Sequence, residues 1–254
     1  MKIFIKTKEE IDALREGGKI LAKIMKETIS FVKPGISTYD IDKFVYDAIK
    51  KNNCSPSFLN YRPSSDYSPF PGSACVSVND EIVHGIPNKN KILKEGDIVS
   101  IDIGLKYKGL FTDHAITVGV GNISEEDKNL LSATKEALMI GIKAARGGSR
   151  IGDIGFAIES FVNERYGIVR ELAGHGVGKK VHEDPYVPNY GKPNTGEKLV
   201  PGMVIAIEPM LTSGHRYLKY DHDGWTIRTK DGKNSAHFEH TIVITSKGPE
   251  IITK

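Results

Sequence analysis

Residues 96–104 read GDIVSIDIG, and residues 202–210 read GMVIAIEPM. Each is a glycine followed by a run of β-branched and other apolar residues, with an acid near its end: Asp102 in the first, Glu208 in the second. Such runs read as strands. Side chains alternate across a strand, so Ile101 and Ile103 face one side and Asp102 the other, just as Ile205 and Ile207 oppose Glu208. A carboxylate in the middle of an apolar strand is costly to bury unless it is paired or bound to a cation. The same arrangement appearing twice therefore bears on architecture and on chemistry together.

Other matches keep the same order along the chain. Gly35 leads to Asp40 and Ile41 as Gly148 leads to Asp153 and Ile154, and Val83, His84 and Pro87 recur as Val181, His182 and Pro185. Asp113 and His114 recur as Glu239 and His240, and the offsets of all these pairs run from 98 to 126 residues. One such match is near chance, but four in register predict a duplicated architecture. The expected fold is α+β: one domain, 1–254, made of two pseudo-symmetric halves, about 8–121 and 122–254. In each half helices precede a bent antiparallel sheet.

Local signals agree with that plan. Thr7 with Glu10 reads as a capping box opening a helix through Leu14, Leu21 and Met25, which Pro34-Gly35 ends. Ser37 with Asp40 opens a second helix, Ser124 with Asp127 a third, and Ile151, Ile154 and Ile158 mark a fourth. Residues 60–72, NYRPSSDYSPFPG, are loop by composition. Residues 74–80, 98–105 and 114–120 read as strands, as do GMVIAIEPML, WTIRT and FEHTIVIT, with Asp231-Gly232 as a hairpin turn before the last.

Composition narrows the class. The chain has 254 residues, 39% hydrophobic and 26% charged, which excludes wholesale disorder. Its net charge of +3, with no Lys/Arg cluster, gives no reason to expect nucleic-acid binding. No apolar run approaches the ~18–20 residues that span a bilayer, and MKIFIKTKEE lacks the pattern of a secretory signal. Cys54 and Cys75 are too few for a disulfide framework and read as free thiols. A cytoplasmic protein is expected.

The repeat places acids at equivalent positions, because Asp113 and Glu239 also read as opening strands. Asp102, Asp113, Glu208 and Glu239 would then meet on the pseudo-symmetry axis, and four carboxylates cannot all stay ionised there without cations. A pair of divalent metals is the natural counter-charge, and two-metal sites run hydrolysis. His175 lies in GHGVG, where the glycines allow close backbone approach. His182 follows seven residues later, and His84 holds the equivalent place in the first half. His114 and His240 directly follow acids, so they face the other way and read as structural, whereas His215 and His222 sit in a polar stretch facing solvent.

GHGVGKKVHEDP, GMVIAIEPM, SVNDEIVHGIP and the spacing of Asp102 and Asp113 together resemble the type I methionine aminopeptidases, from about residue 8 to 250. That resemblance implies the pita-bread fold and a dinuclear site of Asp102, Asp113, His175, Glu208 and Glu239. Two divalent ions are implied (cobalt, manganese, iron or zinc), and four carboxylates to one imidazole favour the hard first-row members. It implies Glu208 as proton shuttle, His182 as donor to the carbonyl oxygen and His84 beside the leaving nitrogen. The methionine side chain is expected between Tyr61, Phe70, Cys75, His84 and Trp225, and a monovalent cation near Asn79 and Ser235. The implied partners are the N-termini of nascent polypeptides near the ribosome, cut by a monomer when the second residue is small.

The chain also departs from the family pattern. RPSSDYSP between Tyr61 and Phe70 is longer than in the tightest members, and Val181 stands where many relatives carry a larger apolar residue. No long insert separates His182 from Glu208, as the type II class would require, and no Cys/His-rich segment precedes the first helix. Two rival readings compete: a proline-specific peptidase on the same fold, and a non-catalytic binder that kept the fold without its metals. All five ligands and both accessory histidines speak against the second.

Overall fold

The Thr7 hydroxyl accepts from the Glu10 amide while the Glu10 carboxylate accepts from the Thr7 amide, opening α1 (Lys8–Phe31) in the computed structural model, which describes residues 3–254. Ser37 and Asp40 repeat this reciprocal cap at α2 (Thr38–Lys51). Leu21, Ile24 and Met25 of α1 and Ile41, Val45 and Ile49 of α2 turn one face to a sheet, where they pack on Val76, Val99, Ile101 and Ile103. That sheet is antiparallel. β4 (Ile98–Tyr107) pairs with β1 (Ser55–Pro56), with β2 (Ala74–Val78) and with β5 (Leu110–Gly119). β3 (Glu81–Val83) leaves it for a neighbouring sheet.

The second half repeats this layering. α3 (Glu125–Ala144) is capped by Ser124, which accepts from the Asp127 amide, and α4 (Ile151–Val162) begins where Asp153 accepts from the Arg150 amide. Two short strands follow, β6 (Gly167–Ile168) and β7 (Gly174–Gly176), then β8 (Glu183–Val187), β9 (Val204–Ile207) and β10 (Met210–Thr212). The chain ends with β11 (Leu218–Tyr220), β12 (Ile227–Thr229), β13 (Ser235–His237), β14 (His240–Thr245) and β15 (Gly248–Ile251). A five-stranded sheet runs β15-β14-β9-β7-β8. Ile154 and Ile158 of α4 and Leu138 of α3 bury Ile205, Ile207, Ile242 and Ile244 of that sheet in a second core.

The halves join where β5 meets the start of β14. The Glu239 amide donates to the Ala115 carbonyl at 2.8 Å, and the Thr241 hydroxyl accepts from the Asp113 amide at 3.0 Å and donates to the Asp113 carbonyl at 2.7 Å. His114 and His240 stack across this seam, ring centroids 4.5 Å apart, and the Glu239 carbonyl and the Thr253 hydroxyl hold their Nδ1 atoms. Their expected structural role matches this placement, and His215 and His222 are exposed as expected.

Three local expectations are corrected. Asp113 does not open its strand: β5 starts at Leu110, closing a two-residue hairpin with β4 in which Lys108 and Gly109 both take positive φ (47° and 83°), as a type I′ turn demands. GMVIAIEPML is not one strand. Pro209 has no N–H to give the ladder, so β9 stops at Ile207 and β10 restarts in a different sheet, against β13 and β6. Asp231-Gly232 makes no hairpin either. The amides of His215 and Lys233 take the Asp231 carboxylate, and the Ser235 amide donates to the Asn79 carbonyl, so β12 pairs with β11 and β3 while β13 pairs with β10.

Candidate metal centre

Register places the acids. Asp102 lies opposite both Cys75 on β2 and Ala115 on β5, so all three share a face, and Asp113, two residues from Ala115, is the diagonal neighbour of Asp102. On the other side His240 pairs with Ile207, and one step beyond that register sets Glu239 beside Glu208. His175 comes from the middle of β7. The ligand atoms of Asp113, His175 and Glu239 all lie within 4.8 Å of one another. His175 Nε2 is 3.5 Å from Glu208 Oε1. All five predicted ligands line one cavity of about 810 Å³.

Electrostatics shows what this cluster lacks. Burial, reinforced by neighbouring carboxylates, drives Asp102 and Glu239 well above the usual carboxylate range. Burial followed by the Glu208 charge pushes Asp113 up to about 7, and burial alone pushes Glu208 to about 8. The histidines give no compensating charge. Burial lowers His175 and His84 to about 4 and His182 and His237 to about 3, so all four are neutral at pH 7. Each buried isoleucine beneath the acids contributes about 1.5–3 kcal/mol, whereas desolvating one ionised carboxylate costs several. The apolar layer alone cannot hold four anions. Asp102 Oδ1 and Glu239 Oε1 are buried without a hydrogen-bond partner among the described residues. Oxygen-rich, uncompensated and with two orphaned oxygens, the donor set fits divalent cations.

Around the acids sit the accessory residues. The Tyr61 hydroxyl hydrogen-bonds His182 Nδ1 at 2.7 Å, and the His182 ring meets His175 edge-on at 4.4 Å. His84 takes a left-handed φ of 58°, a strained conformation for a side chain of its size. The next residue has no room for a side chain: a Cβ on Gly85 would stand 2.4 Å from the Val76 carbonyl oxygen. Phe58, Phe70, Cys75, Val181 and Trp225 form one apolar cluster against which Tyr61 packs, and Phe70 and His84 present their rings edge-on to Trp225 at 5.2 and 6.1 Å. Tyr61, Phe70, Cys75, His84 and Trp225 thus all line the cavity that holds the acids. Asn79 and Ser235 meet through backbone and are not among the residues lining that cavity.

Two residues at this site escaped the sequence reading. His237 is buried and brings Nε2 to 3.3 Å from Glu208 Oε2, without the alignment of a hydrogen bond. No local period marks it, since β13 ends at His237, Phe238 and Glu239 lie between strands, and β13 and β14 belong to different sheets. Phe58 sits in an aperiodic connection that no pattern marks.

Comparison with known proteins agrees with this geometry. Residues 12–246 match metallopeptidase family M24. The chain is 50% identical to methionine aminopeptidase 1 of Bacillus subtilis (strain 168) over 253 residues, covering 99% of each chain. It is 46% identical to the methionine aminopeptidase of Aquifex aeolicus (strain VF5), covering 100% of each. The crystal structure of methionine aminopeptidase from Thermotoga maritima superimposes with a TM-score of 0.94 at 43% identity, each chain fully covered. The prolidase of Pyrococcus horikoshii OT3 shares the fold at a TM-score of 0.78 and 25% identity, but only 63% of its chain is covered. The chain belongs to metallopeptidase family M24, and within it to the pita-bread methionine aminopeptidases of type I.

Proposed function

We propose that the chain removes the N-terminal methionine of nascent polypeptides whose second residue is small, using two divalent ions held by Asp102, Asp113, His175, Glu208 and Glu239. The observation that carries this reading is the juxtaposition of a carboxylate-rich floor with two orphaned carboxylate oxygens and an aromatic, apolar wall, in one cavity. When bound, the ions would lower the pKa of a water and polarise the scissile carbonyl.

The chain's own groups do the rest. The Glu208 carboxylate takes the proton of the attacking water and passes it to the leaving amine. His182 is neutral, and in the tautomer in which the Tyr61 hydroxyl donates to Nδ1 its hydrogen sits on Nε2, to be donated to the developing oxyanion. His84 orients the peptide near the leaving nitrogen. Tyr61, Phe70, Cys75 and Trp225 take the unbranched thioether and exclude charged first residues by burial cost. The backbones of Asn79 and Ser235 would hold a monovalent cation that braces β13 against the turn before β3. We place the enzyme in the cytoplasm, as a monomer working close to the ribosome. No helix among the described residues is long and apolar enough to cross a membrane.

The fold also serves prolidases, so the deciding assay compares Met-Ala-Ser with Ala-Pro-Ser on metal-loaded protein. Preference for Met-Ala-Ser is expected. Preference for Ala-Pro-Ser would move the chain to the proline-specific class, and cleavage of neither peptide would favour a binding role.

A further inference from the structure

Between Tyr61 and Phe70 the chain makes an excursion over residues 62–69, pinched at its base by two backbone hydrogen bonds. The Asn60 amide donates to the Phe70 carbonyl and the Phe70 amide to the Tyr61 carbonyl, both at 2.9 Å. The two base residues reach opposite parts of the site: Tyr61 bonds His182, and Phe70 packs on Trp225. The excursion then folds back over the indole. The Tyr67 ring lies 5.8 Å from Trp225 at a 53° tilt, and the Ser68 carbonyl accepts the indole N–H at 3.1 Å. Pro63 lines the cavity; Tyr67 does not, and it is 48% exposed against 8% for Trp225.

Trp225 precedes β12 on a connection, so no ladder hydrogen bond fixes the direction of its ring. A ring on a loop keeps two torsions with which to swing, and a wall that swings does not select. Here Phe70 and His84 hold the indole by their ring edges while Tyr67 and the Ser68 carbonyl grip it from the excursion. We propose that the 62–69 excursion is a clamp on the pocket wall, and that Tyr67 is a positioning residue for first-residue selectivity, setting the width of the pocket through Trp225. The proposal rests on reading this cavity as the methionine site. Tyr67 does not line the cavity that holds the acids and His182, so loosening it acts first on what is bound rather than on the bond-breaking steps.

Trp225 is the only tryptophan in the chain, so its emission reports the wall directly. The experiment compares Y67A, Y67F and the unsubstituted enzyme by tryptophan emission, acrylamide quenching, and steady-state kinetics on Met-Ala-Ser and Leu-Ala-Ser with metal loaded. In Y67A, loss of one aromatic contact should red-shift the emission, speed quenching and raise KM for Met-Ala-Ser about two- to tenfold at constant kcat. The Met/Leu ratio of kcat/KM should fall by a similar factor. Y67F keeps the ring and should restore all four readings. Unchanged emission and selectivity in Y67A would overturn the clamp, and so would a fall in kcat with KM and selectivity intact. If the unsubstituted enzyme cleaves no methionyl peptide, the substrate reading fails, while the emission and quenching of Y67A still decide whether Tyr67 holds Trp225.

Discussion

The floor and the rim of the cavity are held by different means. Asp102, Asp113 and His175 project from paired strands and Glu208 and Glu239 from strand ends, over fully buried isoleucines that leave the backbone little room to move. Tyr61, Phe70, His84 and Trp225 sit on connections and are placed by side-chain contacts rather than by strand pairing. Like charges repel, so a carboxylate cluster keeps its geometry only on a stiff support. Apolar selection tolerates small displacements, and loops suffice for it. The lesson is that strain from charge is assigned to sheets and discrimination of shape to loops.

The largest effect should come from breaking the floor. Asp113→Asn should reduce peptidase activity to background and abolish stabilisation by added divalent ions, yet the metal-free protein should melt no lower, because a repelling carboxylate has gone. Activity surviving in this variant after chelator treatment would refute the dinuclear assignment. Next in size is His182→Ala, which removes the proposed oxyanion donor: kcat should drop about 10²–10³-fold with metal content near normal. His175→Ala should lose metal as well as activity. Equal metal loss in both variants would erase the distinction drawn between these two histidines.

Tyr61 sharpens the comparison, since it is a rim residue that reaches the chemistry. Tyr61→Phe deletes only the hydroxyl on His182 Nδ1. We expect kcat to fall about tenfold, as when the partner that orients a working histidine is removed, with the Met/Leu selectivity ratio unchanged. A change in selectivity with kcat intact would confine Tyr61 to the pocket wall.

The smallest effect concerns pH. Asp113 and Glu208 have folded pKa values near 7 and 8, raised above their unfolded values, so near neutrality the metal-free fold holds protons that the unfolded chain has released. These two groups therefore make stability fall as pH rises through about 7 to about 8, by on the order of 1 kcal/mol per group. The buried histidines act with the opposite sign: folded values of about 3 to 4 against an unfolded 6.5 give stability that is present above pH 6.5 and lost on acidification. Thermal unfolding in chelator at pH 7, 7.5 and 8, above the range in which the histidines titrate in the unfolded chain, tests the first slope, and a rising trend would count against raised carboxylates in the floor. Metal titrations in buffers of differing ionisation enthalpy should register proton release across the same window.

Much of this molecule is legible from local pattern. The capping boxes at Thr7 and Ser37 and the cap at Ser124 stand where their spacing predicts, and Asp102 opposes Ile101 and Ile103 as alternation requires. The duplicated acids announced the floor because a buried charge on an apolar strand is anomalous wherever it occurs, and anomaly repeated in order is a readable signal. Resemblance named the pocket residues, and the geometry then brought them to one cavity.

Period and capping depend on neighbours within a few residues, so the four helices, the strands around Val76, Ile101, Ile116, Ile205 and Ile242, and the face on which Asp102 stands are legible in local pattern. The strand pairing across Pro209 and Asp231-Gly232, the approach of His237 to Glu208, the Tyr61–His182 bond and the closing of the 62–69 excursion on Trp225 arise in the assembled fold. The side-chain contacts among these join residues 29 to 157 positions apart. At such separations no local period links the partners, and packing of the two halves against each other selects them.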